Sequence, residues 1–122
     1  REPWRPFAHS IQEDDAPDYD TSPYPSPFMI IAFDSKEENR DKIAAAAHVD
    51  GTIRVQTVSK KTNPPYWNLL SEFKKVSGVG AVLNTSFNVA GEPIVCSPLD
   101  ALRTFFSCGM DSLVMGPYII EK

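Results

Sequence analysis

Two helix-forming segments with defined ends are separated by short apolar runs, and this alternation restricts the fold more than any other feature of the sequence. Asn63 is followed by two prolines and Gly78 closes the segment, a pattern that predicts a helix near residues 64–77. A serine–proline start at Ser97 and a later glycine predict a second helix near residues 98–108. We therefore expect the apolar runs around them to form strands that pack against these helices.

The strand-length runs differ in their hydrophobic pattern. The run Phe28–Phe33 is continuously apolar, which predicts a central strand. Thr52–Val58 alternates instead, so that Ile53 and Val55 share one face while Arg54 lies on the other. Further strands are expected in RPFAHSI, in GAVLNTS as a buried strand, and in the interrupted run SLVMGPYIIE. Elements in this order predict an α/β (α+β) fold, a mixed twisted sheet with helices packed on it.

The segment 12–27 differs in composition from the rest of the chain. It carries five of the 16 acidic residues, four prolines including Pro23, and no lysine or arginine. Such a segment lacks periodicity and repels itself, so we expect a mobile acidic surface loop that adds nothing to the core. Outside it, 12 basic residues face 11 acidic ones, and this near-neutral body disfavours a nucleic-acid-binding surface.

Motifs that the sequence lacks disfavour several classes of site. It contains no P-loop, no GxGxxG phrase and no Ser/His/Asp nucleophile motif. Cys96 and Cys108 lack CxxC spacing and the histidines lack ligand spacing, so we expect no metal site. The cysteine usage is typical of a cytoplasmic protein. No apolar run approaches the ~20 residues of a membrane span, so we expect no membrane association.

Two arginines are candidates for binding an anionic ligand. Arg54 lies mid-strand, opposite the apolar face, where its planar guanidinium can present a fork of donors to a phosphate or carboxylate. Arg5 precedes a proline, which restricts the local backbone. Taken alone, each is more often an ordinary surface arginine. His48 and Asp50, in the phrase HVDGT, are interpreted as parts of a turn, because Asp-Gly is turn chemistry.

A cluster of small polar residues follows the apolar run that ends at Leu83. Asn84, Ser86 and Asn88 supply amide and hydroxyl groups that can bind phosphate oxygens or a small amide group. Ligands of open α/β sheets bind beyond the carboxyl ends of strands, which favours a site here. A polar turn explains the same residues equally well, and both interpretations stay open at this point.

Several phrases together identify a family. REPWRPFAHS, HVDGTIRVQTV, NPPYWNLL, LNTSFNVAGEPIVCSPLDALRTFF and GPYIIEK resemble, in this order, the C-terminal domain of the O-carbamoyltransferases. That family includes the nodulation-factor, cephamycin and tobramycin carbamoyltransferases. The phrase from Leu83 to Phe106 is the most specific, and the acidic segment is not covered. The resemblance implies that residues 1–122 are part of a larger two-domain enzyme, a partial domain with a threonylcarbamoyl-AMP synthase-like fold.

The resemblance also implies a reaction. Carbamoyl phosphate is cleaved to carbamate, which attacks the α-phosphate of ATP; carbamoyl-adenylate forms and pyrophosphate leaves. Magnesium (Mg2+) accompanies the ATP. An N-terminal domain of the same polypeptide, outside this chain and carrying an iron site, then transfers the carbamoyl group to a hydroxyl. The residues matched by motif to the binding of carbamoyl phosphate and ATP are Arg5, Arg54, Asn84, Ser86 and Asn88, with Arg54 and Ser86 in catalytic roles.

Departures from the family pattern leave alternatives open. A lysine that usually precedes the REP phrase, part of the family's phosphate site, and a GPRALG phrase lie outside this chain, and His9 stands where a proline is common. We therefore expect the chain alone to be inactive. A non-catalytic ligand-binding module and a nucleic-acid-binding module of the same fold are the alternatives. The acceptor is not indicated, because the resemblance assigns acceptor contacts to the N-terminal domain.

Overall fold

Strands and helices alternate along the computed structural model, which describes residues 5–22 and 24–122. The strands are β1 (Ala8–Gln12), β2 (Ala32–Asp34), β3 (Thr52–Val58), β4 (Ala81–Asn84), β5 (Ser112–Met115) and β6 (Tyr118–Glu121). The helices are α1 (Ala16–Tyr19), α2 (Glu37–Arg40), α3 (Pro64–Ser77) and α4 (Pro98–Ser107), with 3-10 turns at Glu13–Asp15 and Asp41–Ala46. The predicted α/β class is confirmed, and both predicted helices have nearly their predicted bounds.

The chain divides after Thr85 into two compact units. The first holds β1–β4 and α1–α3, and the second, Ser86–Lys122, holds α4 and the β5–β6 hairpin. The division falls inside the polar cluster that follows Leu83. Asn84 therefore belongs to the first unit, whereas Asn88 belongs to the second with Ser86.

The first unit is built on a sheet of mixed direction with strand order β2–β3–β1–β4. β1 runs parallel to β3, whereas β2 pairs antiparallel with β3 and β4 pairs antiparallel with β1. His9 of β1 lies between its partners Val55 and Leu83, which defines the register across three strands. The alternating segment is thus a central strand, and a mixed sheet is present as predicted.

One face of this sheet carries the main hydrophobic core. Ile11, Ile53 and Val55 are each 0% exposed and form one cluster with Phe33 and Tyr19. Because successive side chains of a strand alternate between faces, Arg54 lies on the opposite face and is exposed. The predicted facing of this strand is confirmed.

Helix α3 forms where local signals favour it, and it reaches the second face of the sheet. Asn63 Oδ1 accepts a hydrogen bond from Tyr66 N at 3.3 Å, and prolines occupy the first turn. Gly78 ends the helix with a φ of 75°, a left-handed conformation that favours glycine. Gln12 Nε2 of β1 donates to the Trp67 carbonyl oxygen at 3.0 Å, so part of the second face is tied to this helix.

The prediction of a mobile acidic loop over residues 12–27 is wrong. The segment forms a 3-10 turn and α1, and Tyr19 belongs to the core cluster. Tyr19 Oη accepts a hydrogen bond from Gly80 N at 3.0 Å, and Asp15 is paired with Lys74 Nζ at 2.7 Å. Burial of the aromatic ring and these two contacts oppose the mutual repulsion of the acids. Pro23 lies outside the described residues.

The prediction of a central strand over Phe28–Phe33 is also wrong. Only the end of this run belongs to β2, a three-residue strand at the edge of the sheet. Phe28 and Ile30 are each 77% exposed, and Met29 adopts a φ of 55° that interrupts an extended backbone. The apolar composition of the run therefore does not predict which of its residues are buried.

Strand β4 ends where the sequence predicts but does not have the predicted surroundings. It ends at Asn84, one residue beyond Leu83. It is an edge strand rather than a buried central one, and Leu83 is 53% exposed.

The second unit combines a capped helix with a hairpin. Ser97 Oγ accepts from Asp100 N at 3.2 Å and starts α4, whose Phe105 is fully buried. β5 and β6 pair antiparallel across a turn at Gly116, so the predicted interrupted strand is a hairpin. Over the described parts of both units, no helix combines the length and apolarity that crossing a bilayer requires.

Candidate functional site

Arg54 is a rigidly supported cation on the second face of the sheet. It is the third residue of β3 and is exposed, while its neighbours Ile53 and Val55 are fully buried. Within residues 5–22 and 24–122, no hydrogen bond or ion pair engages its guanidinium. Its donors are therefore available to a ligand, on a backbone that the core holds in place.

A pocket of about 570 Å³ brings Arg54 together with Arg5. The segment that carries Arg5 is anchored by Phe7, whose N–H donates to the Ala45 carbonyl oxygen at 2.9 Å. Two guanidinium groups in one pocket favour a ligand with more than one negative charge. The pocket is lined by Arg5, Pro6, Phe7, His48, Val49, Asp50 and Arg54.

The HVDGT turn contributes a hydrogen-bonded group to the same pocket. Asp50 Oδ1 accepts from Thr52 N at 3.0 Å and from Thr52 Oγ1 at 2.8 Å, and Thr52 Oγ1 lies 2.8 Å from His48 Nδ1. Gly51 adopts a φ of 84°, which confirms the turn. The hydrogen bonds from Thr52 lower the pKa of Asp50 below its ordinary value, so its carboxylate is charged at neutral pH. Turn chemistry was readable from the sequence, but no local signal indicated that this turn faces the two arginines.

Asn84 is held in a polar network that spans three strands. Its Nδ2 donates to Ser10 Oγ at 2.9 Å and to Gln56 Oε1 at 2.8 Å. Ser10 Oγ also donates to Gln56 Oε1 at 2.8 Å, and Gln56 Nε2 donates to the Pro27 carbonyl oxygen at 3.1 Å. Both amide hydrogens of Asn84 are thereby used, and its Oδ1 accepts no hydrogen bond from the described residues. Asn84 can therefore offer a ligand an acceptor rather than a donor.

The sheet register relates Asn84 to Arg54 without making their strands direct neighbours. Ala8 of β1 pairs with Asn84, and extending the β1–β3 register by one residue sets Ala8 beside Arg54. The two side chains share one face across β1, at a separation of about 10 Å between strands. The site thus gathers the amino ends of β1 and β3 and the carboxyl end of β4. The sequence-based expectation named only the carboxyl end.

Ser86 and Asn88 organise a loop of the second unit. Ser86 Oγ donates to Asn88 Oδ1 at 2.6 Å. Asn88 Nδ2 donates to the carbonyl oxygens of Val89 and Glu92, at 3.3 and 3.2 Å. Asn88 therefore uses its amide within the loop, while the oxygen of Ser86 keeps a lone pair for a ligand. Their binding roles remain predictions.

A built metal centre is not visible in this part of the protein. Across the described ranges, no group of three or more His, Cys, Asp or Glu side chains is arranged to hold a metal ion. Cys96 is exposed, and neither it nor Cys108 forms a disulfide.

Comparisons with known proteins identify the family. The model of the family described as "Carbamoyltransferase C-terminus" matches residues 1–122. The chain is 45% identical over 125 residues to the nodulation protein NolO of Bradyrhizobium diazoefficiens, and likewise 45% identical over 125 residues to the nodulation protein NolNO of Sinorhizobium fredii. It is 41% identical over 123 residues to an uncharacterized protein of Methanocaldococcus jannaschii.

All three alignments cover the whole of this chain but only 23%, 18% and 20% of the relatives, respectively. The chain thus spans about a fifth of the length of these relatives. The matched region includes both pocket arginines and the polar cluster after β4. Since the family model matches the chain from its first residue to its last, the chain belongs to the carbamoyltransferase C-terminus family.

Proposed function

We propose that this chain forms carbamoyl-adenylate from carbamoyl phosphate and ATP, as the activating part of a carbamoyltransferase. The observation that carries the proposal is the pocket of about 570 Å³ that Arg5 and Arg54 both line. Both substrates are polyanions, and a pair of guanidinium groups suits their phosphates. Family membership directs the proposal to carbamoyl chemistry.

The proposed reaction has two steps. Water cleaves carbamoyl phosphate to carbamate and inorganic phosphate. A carbamate oxygen then attacks the α-phosphorus of ATP, and the new O–P bond forms as the bond to the pyrophosphate leaving group breaks. Arg5 and Arg54 stabilise the charge that shifts onto phosphoryl oxygens, and Mg2+ bound with ATP adds to that neutralisation.

Asn84 is proposed to orient the carbamoyl group. Its free acceptor, Oδ1, suits the NH2 of a carbamoyl group and does not suit a phosphate oxygen, which also accepts. The strand spacing of about 10 Å between Arg54 and Asn84 leaves room for a small ligand bound by one residue at each end. The network through Ser10 and Gln56 fixes the amide orientation before the ligand arrives.

Ser86 and Asn88 are proposed to act as a pair. Ser86 supplies an oxygen in a catalytic role toward the substrate, and Asn88 positions it through their 2.6 Å hydrogen bond. Loss of Asn88 should therefore weaken the reaction through the placement of Ser86 rather than through a lost ligand contact.

Transfer to the acceptor is proposed to belong to another part of the polypeptide. The chain covers 23% of NolO and 18% of NolNO, so proteins of this kind hold a further domain. We assign to an N-terminal domain the acceptor hydroxyl, the iron site and the transfer step. ATP as a substrate agrees with a cytoplasmic location.

Pyrophosphate release tests the proposal. The full-length polypeptide that carries this chain should release pyrophosphate from ATP only when carbamoyl phosphate is present. Arg54→Ala should reduce this rate by one to two orders of magnitude or more, because a lost charge-assisted hydrogen bond costs about 1.5–3 kcal/mol. Arg54→Lys should restore part of the rate, since lysine keeps the charge but loses the planar fork.

Lys61→Ala is a matched control, because it removes an exposed cation outside the pocket. It should leave the rate unchanged. Wild-type turnover in Arg54→Ala would overturn the proposal. Binding of both substrates without pyrophosphate release would instead favour a non-catalytic ligand-binding module.

A further inference from the structure

We infer that Asp50 and His48 recognise the ribose hydroxyls of the nucleotide whose phosphates bind Arg5 and Arg54. The inference rests on the proposed function, because it deepens the description of the same pocket. It assigns a ligand contact to a turn whose local role is otherwise only structural.

The donors and acceptors of this turn determine which groups of a ligand it can bind. The hydroxyl of Thr52 has one hydrogen, and it donates to Asp50 Oδ1 at 2.8 Å. Thr52 Oγ1 must then accept from His48 Nδ1, which lies 2.8 Å away. In a neutral ring with the proton on Nδ1, Nε2 is an acceptor. Both hydrogen bonds from Thr52 go to Oδ1 of Asp50, so Oδ2 is a second acceptor. No described residue donates to either atom.

Two acceptors on residues that line a pocket suit a ligand with two donors. Phosphate oxygens are excluded as partners, because they accept hydrogen bonds and share the negative charge of Asp50. The carbamoyl NH2 lies within a few ångströms of its own phosphate, so it could reach Asp50 only by bringing that phosphate close to the carboxylate. The vicinal hydroxyls of a ribose are two donors set further from the triphosphate charge, and repulsion weakens with separation.

The size and remaining walls of the pocket agree with a nucleotide. A volume of about 570 Å³ lies within the range of sites for ligands of this size and exceeds what carbamoyl phosphate needs. Phe7, Pro6 and Val49 supply an aromatic ring and apolar surface, which suit the face of a base. The pocket thus combines cations, acceptors and apolar groups, the three kinds of contact that a nucleoside triphosphate uses.

The test compares ATP with 2′,3′-dideoxy-ATP, which lacks both hydroxyls. Binding is measured by calorimetric titration on the full-length polypeptide. The part of the nucleotide binding that is lost in Arg54→Ala is assigned to this pocket. We expect ATP to bind about tenfold more tightly than dideoxy-ATP in the wild type. Asp50→Asn keeps an oxygen for Thr52 and removes the charged second acceptor, so it should weaken ATP alone and bring the ratio close to one. Asp111→Asn makes the same charge change in the other unit and should leave the ratio unchanged.

The outcomes separate this inference from the function on which it rests. Equal binding of the two nucleotides to the wild type overturns the ribose assignment and leaves the proposed function intact. The assignment is also overturned if Asp50→Asn weakens the binding of both nucleotides equally. It is overturned as well if Asp50→Asn weakens binding in the presence of Mg2+ but not in EDTA, because Asp50 would then act through the metal ion. Absence of Arg54-dependent binding for both nucleotides overturns the proposed function together with the inference.

Discussion

The two faces of strand β3 have different roles, although their residues alternate along a segment of seven. On one face, Ile53 and Val55 are fully buried and join residues from four other segments. On the other, Arg54 is exposed beside a pocket and Gln56 belongs to a polar network. Residues for stability and for ligand binding are therefore adjacent in the chain. Substitution of Ile53 should lower the stability of the fold, whereas substitution of Arg54 should weaken ligand binding and leave the stability nearly unchanged.

The largest expected loss of stability comes from the core face. Ile53→Ala removes a fully buried side chain from the main cluster and leaves a cavity, which should lower the free energy of unfolding by about 2–5 kcal/mol. Urea unfolding of the wild type and variant measures this difference. A loss below about 0.5 kcal/mol would contradict the assignment of this face to the core.

Acid should lower the stability of the core face through His9, which pairs with Val55 across β1 and β3. His9 is 1% exposed, and burial lowers its pKa from 6.5 to about 4, opposed in part by the negative charge of Asp20. Neither ring nitrogen has a hydrogen-bond partner among the described residues. Because the unfolded chain binds the proton more tightly, stability should fall as the pH decreases from about 6.5 toward 4, by about 3 kcal/mol in all.

The His9 prediction is checked by urea unfolding at pH 7, 5.5 and 4.5. Carboxylates also titrate in this range, so the informative quantity is the difference between the wild type and His9→Leu. The variant should lose less stability on acidification than the wild type. An identical pH dependence in both proteins would show that His9 takes up no proton on unfolding.

A smaller effect is expected where the acidic segment contacts the core face. Tyr19→Phe keeps the buried ring and removes the oxygen that accepts from Gly80 N, which should cost about 1–3 kcal/mol. Tyr24→Phe is the matched control, because Tyr24 is 51% exposed and its change should stay within about 0.5 kcal/mol. Thermal unfolding of the two variants compares them directly. Equal stability of the two would mean that the segment contributes to the core only through packing.

The sequence predicts those parts of the molecule that local chemistry determines. The bounds of α3 follow from Asn63, its prolines and Gly78, and the two faces of β3 follow from strict alternation. The acidic segment adds Tyr19 to the core, and the run Phe28–Phe33 exposes its beginning and buries Phe33. Neither outcome follows from composition, because burial depends on tertiary contacts such as that of Tyr19 with Gly80. The composition of a segment contains no information about such contacts.

The candidate site was predictable to a similar extent. Arg5, Arg54 and Asn84 come from matched motifs, and they lie on one face or in one pocket of the first unit. The sequence predicts a turn at His48 and Asp50, and the turn is present. Their proximity to Arg54 depends on how the turn leads into β3 and on how the segment before β1 reaches it. Neither relation leaves a periodic or local signal in the sequence.

The smallest expected change in stability comes from Arg54→Ala, directly beside the substitution with the largest. Arg54 is exposed and makes no hydrogen bond or ion pair with the described residues, so its removal should change the free energy of unfolding by less than about 0.5 kcal/mol. Arg54 lies between Ile53 and Val55 in the sequence, but its side chain is on the opposite face of the strand, so the substitution leaves their burial unchanged. Urea unfolding of Arg54→Ala beside Ile53→Ala provides the comparison within one experiment. If ligand binding contributes stability through mass action, carbamoyl phosphate or ATP should raise the melting temperature of the wild type and of Ile53→Ala, but not that of Arg54→Ala. A destabilisation of Arg54→Ala by 2 kcal/mol or more would show that the two faces are not separable, and that the guanidinium serves the fold as well as the pocket.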